Sequence, residues 1–210
     1  MSYIEYFILI TITLTFSLSI RKFVRGSLLK DILRITFFFF PFLIPILYYG
    51  IPNFTLGDNF IFSLLIAISS SILALLIQYK RFLPFFNIDF YYFFPLEKKR
   101  HLLSLEVSLL LSPLFEELIY RYYLPQINIY LDIIISGLLF SAAHYLNKNS
   151  RNDFTFKDYS ILFFLGAIWY FSFSLSGSII PAILGHLIYN IPNSIICMLR
   201  YVIPNRKSNT

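Results

Sequence analysis

The residues that could do chemistry lie in three short stretches in the second half of the chain: Glu116-Glu117-Leu118-Ile119-Tyr120-Arg121, Phe140-Ser141-Ala142-Ala143-His144 and His186-Leu187-Ile188-Tyr189-Asn190. Each sits in an otherwise apolar segment. An ionisable side chain near mid-bilayer costs on the order of 2.5–3.5 kcal/mol to insert, which makes it a candidate for function. Residues four apart share one face of a helix. Glu117 can therefore pair with Arg121, most simply as a structural ion pair, leaving Glu116, about 100° round the helix, as the carboxylate directed elsewhere. His186 and Asn190 also share a face, and Gly185 beside them lets another helix approach closely. Taken singly, either histidine reads as a hydrogen-bonded packing residue. Together, two imidazoles, a carboxylate and a carboxamide from three segments are the groups of proton transfer and water activation, provided the carboxylate is ionised at working pH. Two histidines and a glutamate could also hold zinc, but there is no HExxH and no cysteine ligand set, so no metal and no cofactor is expected.

The elements that must position these groups are membrane helices. Of 210 residues, 58% are hydrophobic, 20% aromatic and only 13% charged, with a mean hydropathy of +0.71; soluble domains carry about 25% charged residues. A soluble globule, a disordered chain and a disulfide-stapled scaffold are excluded, the last because Cys197 is the only cysteine. Charge-poor stretches at Tyr3–Ile20, Ile35–Gly50, Phe60–Tyr79, Leu102–Tyr120, Ile127–Tyr145, Tyr159–Leu175 and Ser178–Leu199 predict an all-α bundle of about seven transmembrane helices in a single integral membrane domain, residues 1–210. Except for Arg121, every Lys and Arg falls in clusters that seven crossings place on one side. The positive-inside rule then gives an outside N-terminus and a cytoplasmic C-terminus. Met1–Glu5 has no basic n-region, so the first apolar stretch is expected to remain as a helix. The net charge of +6 lies in juxtamembrane loops that suit an anionic leaflet, so the expected partner is the lipid bilayer and not nucleic acid.

Pro41 and Pro45 predict a kinked second span. The aromatic stretch Lys80–His101 is expected to lie in the interface. Ser112 and Pro113 read as an N-cap and first helical residue, so the fourth helix is expected to break there. Glu106 and Asp132 lie nearer helix ends, where water can reach them. Straight, uniform helices would keep the three motifs apart: Glu116 lies about 21 Å along its helix from Leu102 and His186 about 12 Å from Ser178, whereas His144 is near the opposite end of its helix. A break at Pro113 would bring Glu116 inward.

In order, the three stretches match EExxxR, FxxxH and HxxxN, and the chain resembles the CAAX protease and bacteriocin-processing enzyme (CPBP, or Abi) family over residues 113–193; Gly177-Ser178 and Pro181 add to the likeness. That family includes the type II CAAX prenyl endopeptidase, an all-helical intramembrane glutamic protease, and bacterial members tied to bacteriocin maturation, self-immunity and peptide signalling. The resemblance implies that Glu116 and His144 activate a water, that His186 and Asn190 stabilise the oxyanion, that Glu117 and Arg121 give structural support, and that no metal is required. It implies a peptide or protein substrate near the membrane and, with the Ile-, Phe-, Lys- and Asn-heavy composition, a bacterial inner membrane. The alternative is a non-catalytic immunity or interaction protein with the same fold and pocket. A proton-relay transporter has less support, because no paired broken repeats are visible.

Overall fold

The computed structural model describes residues 1–203 apart from 24–26, 53 and 94–98, and the side chains of all of these except 20–23, 28, 100, 148 and 149. The basic residues Arg25, Lys98, Arg206 and Lys207 lie outside the described residues. All described regular structure is helical. Helix α1 spans Tyr3–Phe23, α2 Leu28–Phe39, α3 Ile44–Tyr49, α4 Phe60–Ile77, α5 Tyr79–Phe82, α6 Ile88–Phe93, α7 Lys99–Glu117, α8 Ile129–Leu146, α9 Lys148–Asp153, α10 Phe156–Ser176 and α11 Ile180–Val202. A 3-10 turn at Phe40–Leu43, carrying Pro41, joins α2 to α3, so prolines set the irregular middle of that segment.

Each of the seven charge-poor stretches coincides with a helix, but five satisfy both length and apolarity for a bilayer crossing: Leu29–Tyr49, α4, α8, α10 and α11. The apolar part of α1, Tyr3–Ser19, is shorter, and α7 is diluted by Lys99, Glu106, Glu116 and Glu117. The chain is an integral membrane protein by this measure. Its surface agrees, because large aliphatic and aromatic side chains such as Phe156, Leu47 and Ile61 are the exposed ones, while a set of serines is fully buried.

Those serines hold the helices together. With lipid outside as apolar as the core, directional bonds and close backbone approach replace the hydrophobic drive. Ser172 donates to the Ser63 carbonyl (2.7 Å), Ser71 to that of Gly185 (2.8 Å), Ser136 to that of Gly166 (3.1 Å) and Ser17 to that of Phe38 (2.8 Å). Helices α8 and α10 cross where a Cβ on Gly166 would lie 3.0 Å from the Gly137 Cα.

Chain ends and basic residues sort to two ends of the bundle. At one, Gln78 donates to Asp158 (3.0 Å), Arg81 faces Asp158 (3.5 Å), Lys99 lies over Tyr201 and Arg200 over Phe90. At the other, the Tyr3 hydroxyl donates to Asp132 (2.8 Å) and that of Tyr123 to the Gly50 carbonyl (2.8 Å). The described part of 80–101 forms α6 and short turns with Phe86 and Phe93 exposed, as an interfacial segment would.

Two expectations are corrected. Asp132 is not solvated: it is fully buried, taking the Tyr3 hydroxyl and the Asn128 N–H, and so ties α1 to the start of α8. Helix α7 does not break at Pro113 but runs through it. The irregularity comes later, as a π-helical turn at Leu118–Tyr122 closed by a Tyr123 N–H to Leu118 carbonyl bond of 3.0 Å.

The crossing of α8 and α10 should tolerate the loss of one bond but not of the close approach. Ser136→Ala should lower the apparent Tm in detergent slightly, on the scale of the ~0.6 kcal/mol typical of such bonds. Gly166→Leu should leave little monodisperse protein in size-exclusion chromatography.

Candidate active site

The carboxylate of Glu117 organises the centre of the bundle. It comes from the last turn of α7, Arg121 from the π turn that follows, and His186 from the second turn of α11. Glu117 Oε2 lies 3.1 Å from Arg121 Nε, and His186 Nδ1 is 2.8 Å from Glu117 Oε1. Glu117 and Arg121 are fully buried and His186 nearly so. Since arginine stays protonated in proteins, the carboxylate beside it balances a charge that the site cannot lose. The guanidinium contact with Glu117 is a charge contact, not an aligned hydrogen bond. Its remaining surface rests on aromatic faces, 4.6 Å from the Phe140 centroid, 5.5 Å from Trp169 and 5.7 Å from Tyr120, which suit a desolvated cation.

The π turn widens the helix where these groups meet, and wide turns of this kind recur at functional sites. Its backbone is buttressed from α1, whose fully buried Tyr6 donates its hydroxyl to the Ile119 carbonyl at 2.8 Å.

The motif histidines meet across Phe140. Its ring centroid is 4.7 Å from His144 and 5.2 Å from His186, both edge-on. His144, half-buried, bonds the Phe140 carbonyl through Nδ1 (2.9 Å). Phe154 lies over its other side, with Arg81 4.7 Å above that ring. Glu116 and His144 both lie within electrostatic range of His186. The motifs therefore converge without a break at Pro113, with the Phe140 ring in contact with both histidines. Among the described residues no three His, Cys, Asp or Glu side chains are grouped as metal ligands.

Asn190 lies one turn beyond His186 and donates through Nδ2 to the Leu109 carbonyl of α7 at 3.1 Å. With Nδ1 donating to Glu117, the neutral His186 ring carries a lone pair on Nε2; the imidazolium carries a proton there. A carboxylate on Nδ1 compensates the charge of that imidazolium. The cluster thus holds carboxylates, an imidazole hydrogen-bonded to one of them and an amide donor at a nearly dry centre of the bundle, the equipment for proton transfer and for stabilising an oxyanion.

Sequence reasoning missed two supports, Trp169 and Tyr189, while the close helix approach expected at Gly185 is present. Trp169, the only tryptophan, stacks on His186 at 4.8 Å and 22°, and its Nε1 donates to Ser71 Oγ at 3.3 Å. Tyr189 donates to Gln78 (2.9 Å) and so links this turn of α11 to Asp158 and Arg81. Gly185 is where α11 meets both α4 and the indole, since a Cβ there would lie 2.9 Å from the Ala67 carbonyl oxygen and from Trp169 Nε1. A lone tryptophan in a serine-bearing span is the one signal that could have pointed to them.

Breaking a buried ion pair from one side leaves an uncompensated charge and costs about 3–5 kcal/mol. Glu117→Gln and Arg121→Met should each lower the apparent Tm steeply. The double variant should recover a large part of the loss, and a double variant as unstable as the sum of the singles would show that the pair does not act as a unit.

Residues 98–192 match the type II CAAX prenyl endopeptidase Rce1-like family. No curated protein and no solved structure matches the chain. The matched stretch begins at the foot of α7 and ends just past Asn190, so every motif group of the cluster falls within it. Over this stretch, somewhat less than half of its length, the chain is similar to the Rce1-like family of CAAX protease-type endopeptidases.

Proposed function

We propose that the chain is a metal-independent glutamic endopeptidase that hydrolyses a peptide bond at or in the membrane. The observation that carries this reading is the convergence of the motif groups on one buried centre, where Glu117 holds Arg121 and His186 and Glu116 and His144 lie within electrostatic range of His186. Glu116, with His144, takes a proton from a water whose oxygen adds to the scissile carbonyl carbon. The oxyanion accepts hydrogen bonds from His186 Nε2 in its protonated state and from Asn190. The proton held by Glu116 and His144 then passes to the amide nitrogen as the C–N bond breaks, releasing an acid and an amine with one water added. Preorganised donors of this kind lower an acyl-transfer barrier by several kcal/mol, and Glu117 and Arg121 hold His186 for that role.

The same reading has seven crossings, adding α1 and α7 to the five apolar spans, with the basic end of the bundle cytoplasmic and the N-terminus outside. The substrate is a peptide or protein presented at a bacterial inner membrane, in peptide or bacteriocin maturation or self-immunity.

The test is cleavage of a fluorogenic prenylated peptide ending in a CAAX sequence by purified protein in detergent. Wild type should cleave it with or without a chelator. Glu116→Gln and His144→Ala should each lower kcat by about 10²–10⁴, the usual worth of a general acid or base, while accumulating normally in the membrane. Full cleavage by both variants would sink the assignment of Glu116 and His144, whereas a cellular phenotype kept by both variants at normal abundance, without peptide cleavage, would favour a binding protein.

A further inference from the structure

Proline inside a helix has no N–H to give the carbonyl four residues earlier. Pro113 is buried in the interior of α7, and the carbonyl it deprives is that of Leu109. This is the carbonyl that Asn190 Nδ2 reaches from α11 at 3.1 Å. We propose that Pro113 is a positioning residue: by leaving the Leu109 carbonyl open, it fixes the rotamer and plane of the Asn190 carboxamide beside His186. The proposal rests on the reading of Asn190 as an oxyanion donor and adds what holds it in place.

The amide orientation is chemically determined. A carbonyl oxygen only accepts, so the nitrogen end of the carboxamide must face Leu109. One of its two N–H groups is then spent on α7, and the other N–H and Oδ1 remain for the site. Asn190 stands at the site end of a seam of polar links between the two helices. Ser194 bonds Glu106, and Cys197 Sγ lies 3.1 Å from the Leu102 carbonyl. Those links use side chains or an ordinary helical carbonyl; the Asn190 link alone uses a carbonyl whose helical donor is missing. A carboxamide anchored by the opposite helix is held more tightly than its own backbone would hold it, as a preorganised donor requires.

Pro113→Ala returns an N–H to α7 that competes for the Leu109 carbonyl. The expected result with the fluorogenic CAAX peptide is a fall in kcat of about tenfold to a hundredfold, the scale on which a misplaced group loses rate, with KM unchanged. The apparent Tm should not fall, because proline is disfavoured inside a helix. The structural half is read without substrate: Asn190→Ala should lower the apparent Tm when residue 113 is proline and leave it unmoved when residue 113 is alanine. Equal Tm losses in both backgrounds, or full kcat in Pro113→Ala where Asn190→Ala loses activity, would overturn the proposal. Normal cleavage by Asn190→Ala together with the background-dependent Tm would instead remove the oxyanion role and leave the Pro113–Asn190 pairing standing. Should Pro113→Ala not accumulate, Pro113→Ser restores the same N–H. Independently of either, an unchanged Tm for Asn190→Ala in the wild-type background would also overturn the proposal.

Discussion

A permanently charged guanidinium at the centre of a membrane bundle is the constraint around which the rest is arranged. Arg121 has no route to water, so a carboxylate and three aromatic faces must surround it. Glu117 supplies the carboxylate from one turn earlier, and Phe140, Trp169 and Tyr120 supply the faces. Phe140 and Trp169 also touch His186. The arrangement that accommodates the charge therefore also fixes the imidazole, and structural and chemical roles cannot be separated cleanly in this cluster.

Around it, the bundle has an inside-out composition. Its exposed surface is aliphatic and aromatic, and its interior carries serines whose hydroxyls reach across to carbonyls on neighbouring helices. Such bonds are weak singly, but they are directional and short-ranged. Together with the glycine crossings they set helix spacing more sharply than apolar contact between lipid-like surfaces would.

Much of this was legible in the sequence because it is local. Each charge-poor stretch became a helix, Pro41 and Pro45 marked an irregular segment, and the spacing of Glu117 and Arg121 placed both on one face. What was not legible depends on contacts between helices or on small energy differences. Nothing in Leu118–Tyr122 marks a π turn in advance. The spacing in α11 relates His186 to Asn190, but says nothing of the carboxylate on α7 that takes its Nδ1. Pro113 reads as a helix start by propensity. It lies inside α7, and the carbonyl it deprives, that of Leu109, meets Asn190 from α11, 81 positions further along the chain. Asp132 reads as a solvated end residue until α1 brings Tyr3 over it.

The contact between Tyr6 and the Ile119 carbonyl has a practical consequence. Helix α1 offers no group to the chemistry, yet its hydroxyl is bonded to the backbone of the turn that carries Arg121. An affinity tag or fusion partner that pulls on the first turn of α1 would act on the centre of the molecule while touching none of the motif residues. The far end of α11, beyond the described seam with α7, is the better place for a handle.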